Sequence, residues 1–193
     1  MKKCINSWAR VLGFVIVLIY GAGCPHREIG ETSALSNPPF FKDVIPDQGP
    51  WLVKAGFDKN IYHKLYALRS GGAYIWATFV RIDEPLNIDI TNPANQKVLA
   101  EIALQAFCKA QEEKCLAISS DVAWIVGVPL KYIYVRFNAE REGFPPMRGL
   151  VYYRFDQPYQ TMFILLADDR IYDSYETVFF NYLSEVSFNP ERF

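Results

Sequence analysis

The order of elements in this chain predicts an α+β fold: a single antiparallel sheet covered by two amphipathic helices, an α/β/α sandwich. Three observations carry that expectation. Two pairs of strand-like runs, 61–69 with 73–82 and 148–155 with 159–166, are each joined by a short turn-forming link, which makes the partners antiparallel. An apolar stripe at helical spacing follows the first pair, and a second one closes the chain. Amphipathic helices need apolar surface to cover, and the two faces of one sheet supply it.

The chain opens on Lys2 and Lys3, then the apolar run Val11-Leu12-Gly13-Phe14-Val15-Ile16-Val17-Leu18-Ile19-Tyr20, then Gly21-Ala22-Gly23-Cys24. A basic start, an apolar core and small residues before a cut form the layout of a secretory signal, so 1–23 is read as a signal peptide removed on maturation. As a helix, Val11 to Ala22 rises about 18 Å, short of the roughly 30 Å of a bilayer's hydrocarbon core. An uncleaved anchor over Trp8 to Gly23 is the alternative, at the cost of thinning the bilayer. Small residues running straight into Cys24 resemble the lipobox of bacterial lipoproteins, in which that Cys becomes the acylated first residue. Gly21 stands where that pattern usually carries Leu, which keeps ordinary signal-peptidase cleavage as the competing reading. Acylation at Cys24 would anchor the protein through about 0.8 kcal/mol per buried CH₂ without a spanning helix. The resemblance further implies sorting. Pro25 replaces the Asp that signals inner-membrane retention in many Gram-negative bacteria, which points to the outer membrane, facing the periplasm.

Loss of the signal leaves 170 of 193 residues, enough for one hydrophobic core. It removes Lys2, Lys3 and Arg10 and no acid, so the formal charge moves from −1 to −4. A mildly acidic body without a basic run excludes nucleic acid as the expected partner. Aromatic residues are 16% of the chain, which the strand pattern absorbs as sheet packing.

Residues 24–50, with five prolines and no sustained period, read as a lipidated N-terminus and flexible tether ahead of a globular domain at 51–193. Within the tether, Phe40-Phe41 is an apolar pair that either docks on the domain or meets a partner. The first hairpin, Ile61 to Arg69 and Ala73 to Ile82, turns at Ser70-Gly71-Gly72. His63 falls inside its first strand, where a packed or surface histidine is the expectation. Asp83 to Thr91 is a connection with room for a short edge strand. Asn92 caps the first helix with Pro93 at its first position, and Leu99, Ile102, Ala103, Ala106 and Ala110 form its stripe. Strands follow at Leu116–Ser119, Val122–Val126 and Lys131–Phe137, the latter two joined by Gly127-Val128-Pro129. A polar loop, Asn138 to Pro146, leads into the second hairpin. The closing helix spans 174–185, with Asp173 and Glu176 at capping-box spacing and Tyr175, Val178, Phe179, Tyr182, Leu183 and Val186 as its stripe.

Of four cysteines, Cys4 leaves with the signal and Cys24 lies at the cut, so Cys108 and Cys115 remain as a pair. On one continuous helix, their Cα atoms would stand near 10 Å apart, beyond the roughly 7 Å reach of a disulfide. A bond therefore requires the helix to end between them, with Cys108 in its last turn and Cys115 opening a strand. Such a bond would contribute on the order of 2–3 kcal/mol. Free thiols are the alternative. Redox chemistry is disfavoured because the spacing is not Cys-x-x-Cys, and zinc because only His26 and His63 could join the ligand set.

Gly127-Val128-Pro129 leading into Tyr132-Ile133-Tyr134-Val135, then Val151-Tyr152-Tyr153, Met162-Phe163-Ile164-Leu165 and the closing Tyr182-Leu183-Ser184-Glu185-Val186, make the segment from Trp51 to Phe188 resemble the Mog1/PsbP-type fold of small bacterial envelope lipoproteins. The resemblance implies a non-catalytic domain that binds or supports an envelope complex, and it transfers no functional residue and no cofactor. The resulting expectation is a lipid-anchored, non-catalytic interaction module with an envelope protein partner. Two alternatives stand beside it. One is a binder of a small apolar or sugar ligand, resting on Trp51, Trp76, Trp124 and the tyrosine-rich strands. The other is an envelope hydrolase using Asp168 and Asp169, or Asp83 and Glu84, which requires convergent polar groups in a cleft.

Overall fold

The computed structural model describes residues 41–42, 50–58, 60–82, 88–111, 113–124, 131–156 and 158–189. The signal segment, Cys24, His26, Asp83, Glu84 and the 127–129 link lie outside these residues. In chain order the elements are β1 (Phe41–Lys42), β2 (Trp51–Asp58), β3 (Ile61–Leu68), β4 (Ala73–Arg81), α1 (Pro93–Ala110), β5 (Lys114–Trp124), β6 (Lys131–Glu140), β7 (Met147–Asp156), β8 (Tyr159–Asp168), α2 (Tyr172–Glu185) and β9 (Ser187–Phe188).

Seven strands form one sheet in the order β2-β3-β4-β8-β7-β6-β5, every neighbouring pair antiparallel. The expected α+β sandwich is the fold observed. Strand periodicity sends alternate side chains to opposite faces, and each face carries its own core. On one, α2 packs on β8, β4 and β7 around Phe163, Phe179, Tyr182 and Leu183. On the other, α1 packs on β5, β6 and β7 around Leu99, Leu104, Val135, Phe137, Val151 and Ile164.

The first helix starts as its sequence dictates. Asn92 Oδ1 accepts from the Ala94 N–H at 2.9 Å, and Pro93 takes the first position, where a missing donor is harmless. Gln96 then ties α1 to the sheet, donating to the Phe155 carbonyl at 2.8 Å and accepting from the Phe155 N–H at 3.3 Å. The helix ends at Ala110 and β5 opens at Lys114, the break required for the cysteines to approach.

Elsewhere the elements differ from expectation for identifiable reasons. Trp51–Asp58 is a strand that the turn signals did not announce, because the link to Ile61 lacks the Asn-Gly or Gly-rich pair that marks a two-residue hairpin. The strands expected at 116–119 and from 122 are one strand, β5, whose register slips between Ala117 and Ser119 at a β-bulge. β6 runs on through Glu140, so the polar loop begins at Arg141. Residues 88–91 form no strand. The capping box at α2 is not formed: Ile171 is the N-cap, without a side-chain bond. Asp173 reaches Arg148 instead, and Glu176 reaches Arg136 and Tyr172. Finally, the body begins before Trp51. β1 pairs with β9, and Phe41 is buried against Tyr62 and Phe79, with ring centroids at 5.5 and 4.8 Å.

Candidate functional site

Seven strands at about 4.8 Å spacing make a sheet about 29 Å wide, whereas a helix with its side chains is about 10 Å across. One helix per face therefore leaves part of each face bare. On the α2 face the remainder is filled by Phe41, Trp51, Tyr62 and Tyr66, all buried. On the α1 face, the wing formed by β2, β3 and β4 has no such filling among the described residues.

Register defines what that wing presents. Three rows run across it from the β2 edge to β8: Leu52, Ala67, Tyr74, Leu166; Lys54, Leu65, Trp76, Ile164; and Gly56, His63, Thr78, Met162. The β8 members are buried, while Ala67, Tyr74, Leu65 and Trp76 are half-buried and Leu52 is 46% exposed. Tyr74 and Trp76 lie side by side, centroids 5.4 Å apart, and Trp76 meets α1 at the border of the wing through an edge-on contact with Phe107 at 5.1 Å. The imidazole of His63 lies over Gly56, so close that a Cβ there would sit 2.6 Å from Cε1. That makes His63 a packed histidine, as its place in a strand implied.

β3 is apolar on both of its sides, with one lysine on the covered side and one histidine on the open side. Lys64 is only 4% exposed on the α2 side, its Nζ 5.3 Å from the Tyr66 ring centroid, while Leu65 and Ala67 point to the open side. Burying an ammonium stem and leaving leucine and tryptophan at the surface is unfavourable for a face meant for water.

Of the acids named as catalytic candidates, the two among the described residues, Asp168 and Asp169, are occupied otherwise. Asp168, at the end of β8, accepts from the Arg170 backbone N–H at 3.0 Å and from its guanidinium at 2.9 and 2.6 Å, closing the turn into α2. These hydrogen bonds, side-chain first, hold its carboxyl down to about 2. Asp169 points elsewhere, 3.5 Å from Arg148. Burial pushes the Tyr132 phenol up to about 12. Among the described residues no group of three His, Cys, Asp or Glu side chains could hold a metal. A shallow hollow beside the β6–β7 turn, lined by Glu140, Met147, Arg148 and Asp169, brings in only that same ion-pair network.

The Asp168 geometry gives a pH prediction. The carboxyl titrates near about 2 in the fold and near about 3.9 in an unfolded chain. The fold favours the ionised form, so this stabilisation is complete above pH ~4 and fades as pH falls toward 2. Asp168→Asn is expected to lower Tm at pH 7, with the deficit shrinking in melts between pH ~4 and ~2. A deficit absent at pH 7, or constant across that range, contradicts the assignment.

The tryptophans offered for a ligand do not converge. Trp51 is buried on the α2 face against Tyr175 at 5.6 Å, Trp76 lies on the opposite face, and Trp124 ends β5 at the far edge. The cysteines do converge, with Cα atoms 6.0 Å apart and sulfurs at bonding distance. No helix among the described residues is long and apolar enough to cross a membrane.

Neither a protein-family model nor a curated protein matches the chain. Among solved structures it is similar to cyanobacterial PsbP (CyanoP) from Synechocystis sp. PCC 6803, with a TM-score of 0.55 at 9% identity over 83% of this chain and 99% of that one. The fold is PsbP-like, and at that identity the likeness speaks to fold alone.

Proposed function

We propose that this protein is a membrane-anchored lipoprotein of the bacterial cell envelope whose domain acts as a non-catalytic interaction module, engaging an envelope protein through the open wing of its sheet. The observation that carries the reading is the apolar lining of that wing: Leu52 exposed, and Leu65, Tyr74 and Trp76 half-buried, on the side that no helix among the described residues covers. Contiguous apolar surface of this kind marks an interaction site. The N-terminal layout supports export and acylation at Cys24, with delivery to the outer membrane. The Cys108–Cys115 approach supports an oxidising compartment, because disulfides persist there and not in a reducing cytosol.

Metabolic labelling with a fatty acid tests the anchor: wild type is expected to take up label and Cys24→Ser to lose it. Label that survives the substitution, or that never appears, removes acylation at this site. Protein isolated from cells under denaturing conditions is expected to gain no alkyl groups at Cys108 and Cys115 until a reductant is added. Alkylation of both beforehand overturns the compartment. Photo-crosslinking from the wing in intact cells is expected to capture an envelope protein, and failure to capture any protein contradicts the module.

A further inference from the structure

We infer that the wing receives one amphipathic α-helix of its protein partner, lying alongside α1 and carrying acidic residues on its outer edge. The inference rests on the interaction module proposed above and specifies what that module grips. Lys97 and Glu101 reach Ser120, and Gln105 reaches the Cys115 carbonyl, so one flank of α1 is turned toward β5. At 100° per residue, the opposite flank is Ile102, Ala106 and Ala110, all half-buried, and it lies away from β5, on the side of β7 and of β8 beyond it in the sheet. With the sheet rows as floor and this flank as wall, the surface is an apolar step with Trp76 and Phe107 at the inner corner.

The dimensions of the step select its occupant. From β2 to β8 the floor spans three strand gaps, about 14 Å, and from Leu52 to Asp58 it runs about 20 Å. A helix about 10 Å across and about 14 residues long fills that space. Alanines at 106 and 110 leave room for close approach at the wall. The floor covers about 300 Å², well short of the roughly 800 Å² per partner of a stable dimer, so a second folded copy is a poor match. Charge orients the helix: on the phase of β2 that forms the floor, register places Lys54 beside Leu65 at mid-length and Asp58 at the far end, and Lys109 lies on the outer side of α1. The two lysines, placed against the body of the helix, complement acids flanking its apolar stripe.

The test places a photo-crosslinking amino acid at Leu52 in the full chain, in its native cells, with Val178 on α2 as the control position. The adduct is read by peptide mass spectrometry. The expected crosslinked segment is an amphipathic helix with Asp or Glu beside its apolar stripe. Ala106→Trp, which fills the wall, is expected to cut the adduct at least tenfold with an unchanged thermal melt. Lys54→Glu is expected to cut it about fivefold, and Lys54→Arg to restore it. A partner protein captured through a strand or loop, or an adduct indifferent to Ala106→Trp and Lys54→Glu, overturns the helix while leaving the module standing. An adduct with a second copy of this chain or with lipid, or the absence of any adduct, overturns both.

Discussion

Gly149→Val is expected to cost about 3 kcal/mol or more, a large fraction of a domain's usual stability. Gly149 sits on β7 opposite Phe137 of β6, on the face that α1 covers. A Cβ built there would lie 2.0 Å from Cζ of the Phe137 ring, with Cε1 and Cε2 at 2.3 and 2.6 Å. The ring therefore occupies the space a side chain would need, and it has nowhere to retreat, since Phe137 is 1% exposed beneath α1. Overpacking a core usually costs about 1–3 kcal/mol, and here the added branches meet an aromatic ring head-on. Urea melts would show the loss as a lower midpoint. Gly149→Ala should also be destabilised, and pairing it with Phe137→Leu should recover part of the loss, giving a coupling well outside additivity. A Gly149→Ala midpoint within error of wild type would refute the close packing.

That glycine also shows what the chain discloses and what it withholds. In Met147-Arg148-Gly149-Leu150 a single glycine reads as a weak point of a strand, and only the register of β6 against β7 reveals the ring it accommodates. The hairpins, the order of elements and the helix that ends between the cysteines were legible because they rest on local chemistry: Gly71-Gly72 at a turn, Asn92-Pro93 at a helix start, a 3.6-residue stripe. Where tertiary partners compete for the same side chains, local rules failed. Asp173 and Glu176 have capping-box spacing, yet Arg148 and Arg136 lie within reach across the sheet. An arginine partner displaced the cap.

The open wing was half legible. In β4, Tyr74 and Trp76 are apolar on one phase while Ala73, Ile75, Ala77 and Phe79 are apolar on the other, and β3 repeats the pattern with Leu65 and Ala67 against Tyr66 and Leu68. Strands apolar on both phases ask for cover on both faces. The described residues offer two helices for seven strands, so among them one stretch is left without a helix. Which stretch depends on where each helix lands, and that follows from the order β2-β3-β4-β8-β7-β6-β5, a topology that no local signal specifies.

The other large effect is expected at the boundary between tether and body. Phe41→Ala should cost about 3–5 kcal/mol, the usual range for deleting a buried aromatic side chain. Phe41 belongs to a strand of two residues, and composition alone places it in a proline-rich tether, yet it is 2% exposed. Its ring seals the end of the α2-side core where Tyr62 and Phe79 meet, and Val186 continues that core just ahead of its partner strand β9. A chain begun at Trp51, the domain start that composition suggests, should therefore show a loss at least as large as Phe41→Ala, while one begun at Asn37 should melt like the mature protein. If the chain begun at Trp51 melts at the wild-type temperature, Phe41 is an ornament and the body starts at β2. If it melts far lower, any load carried by the tether enters the protein through its aromatic core.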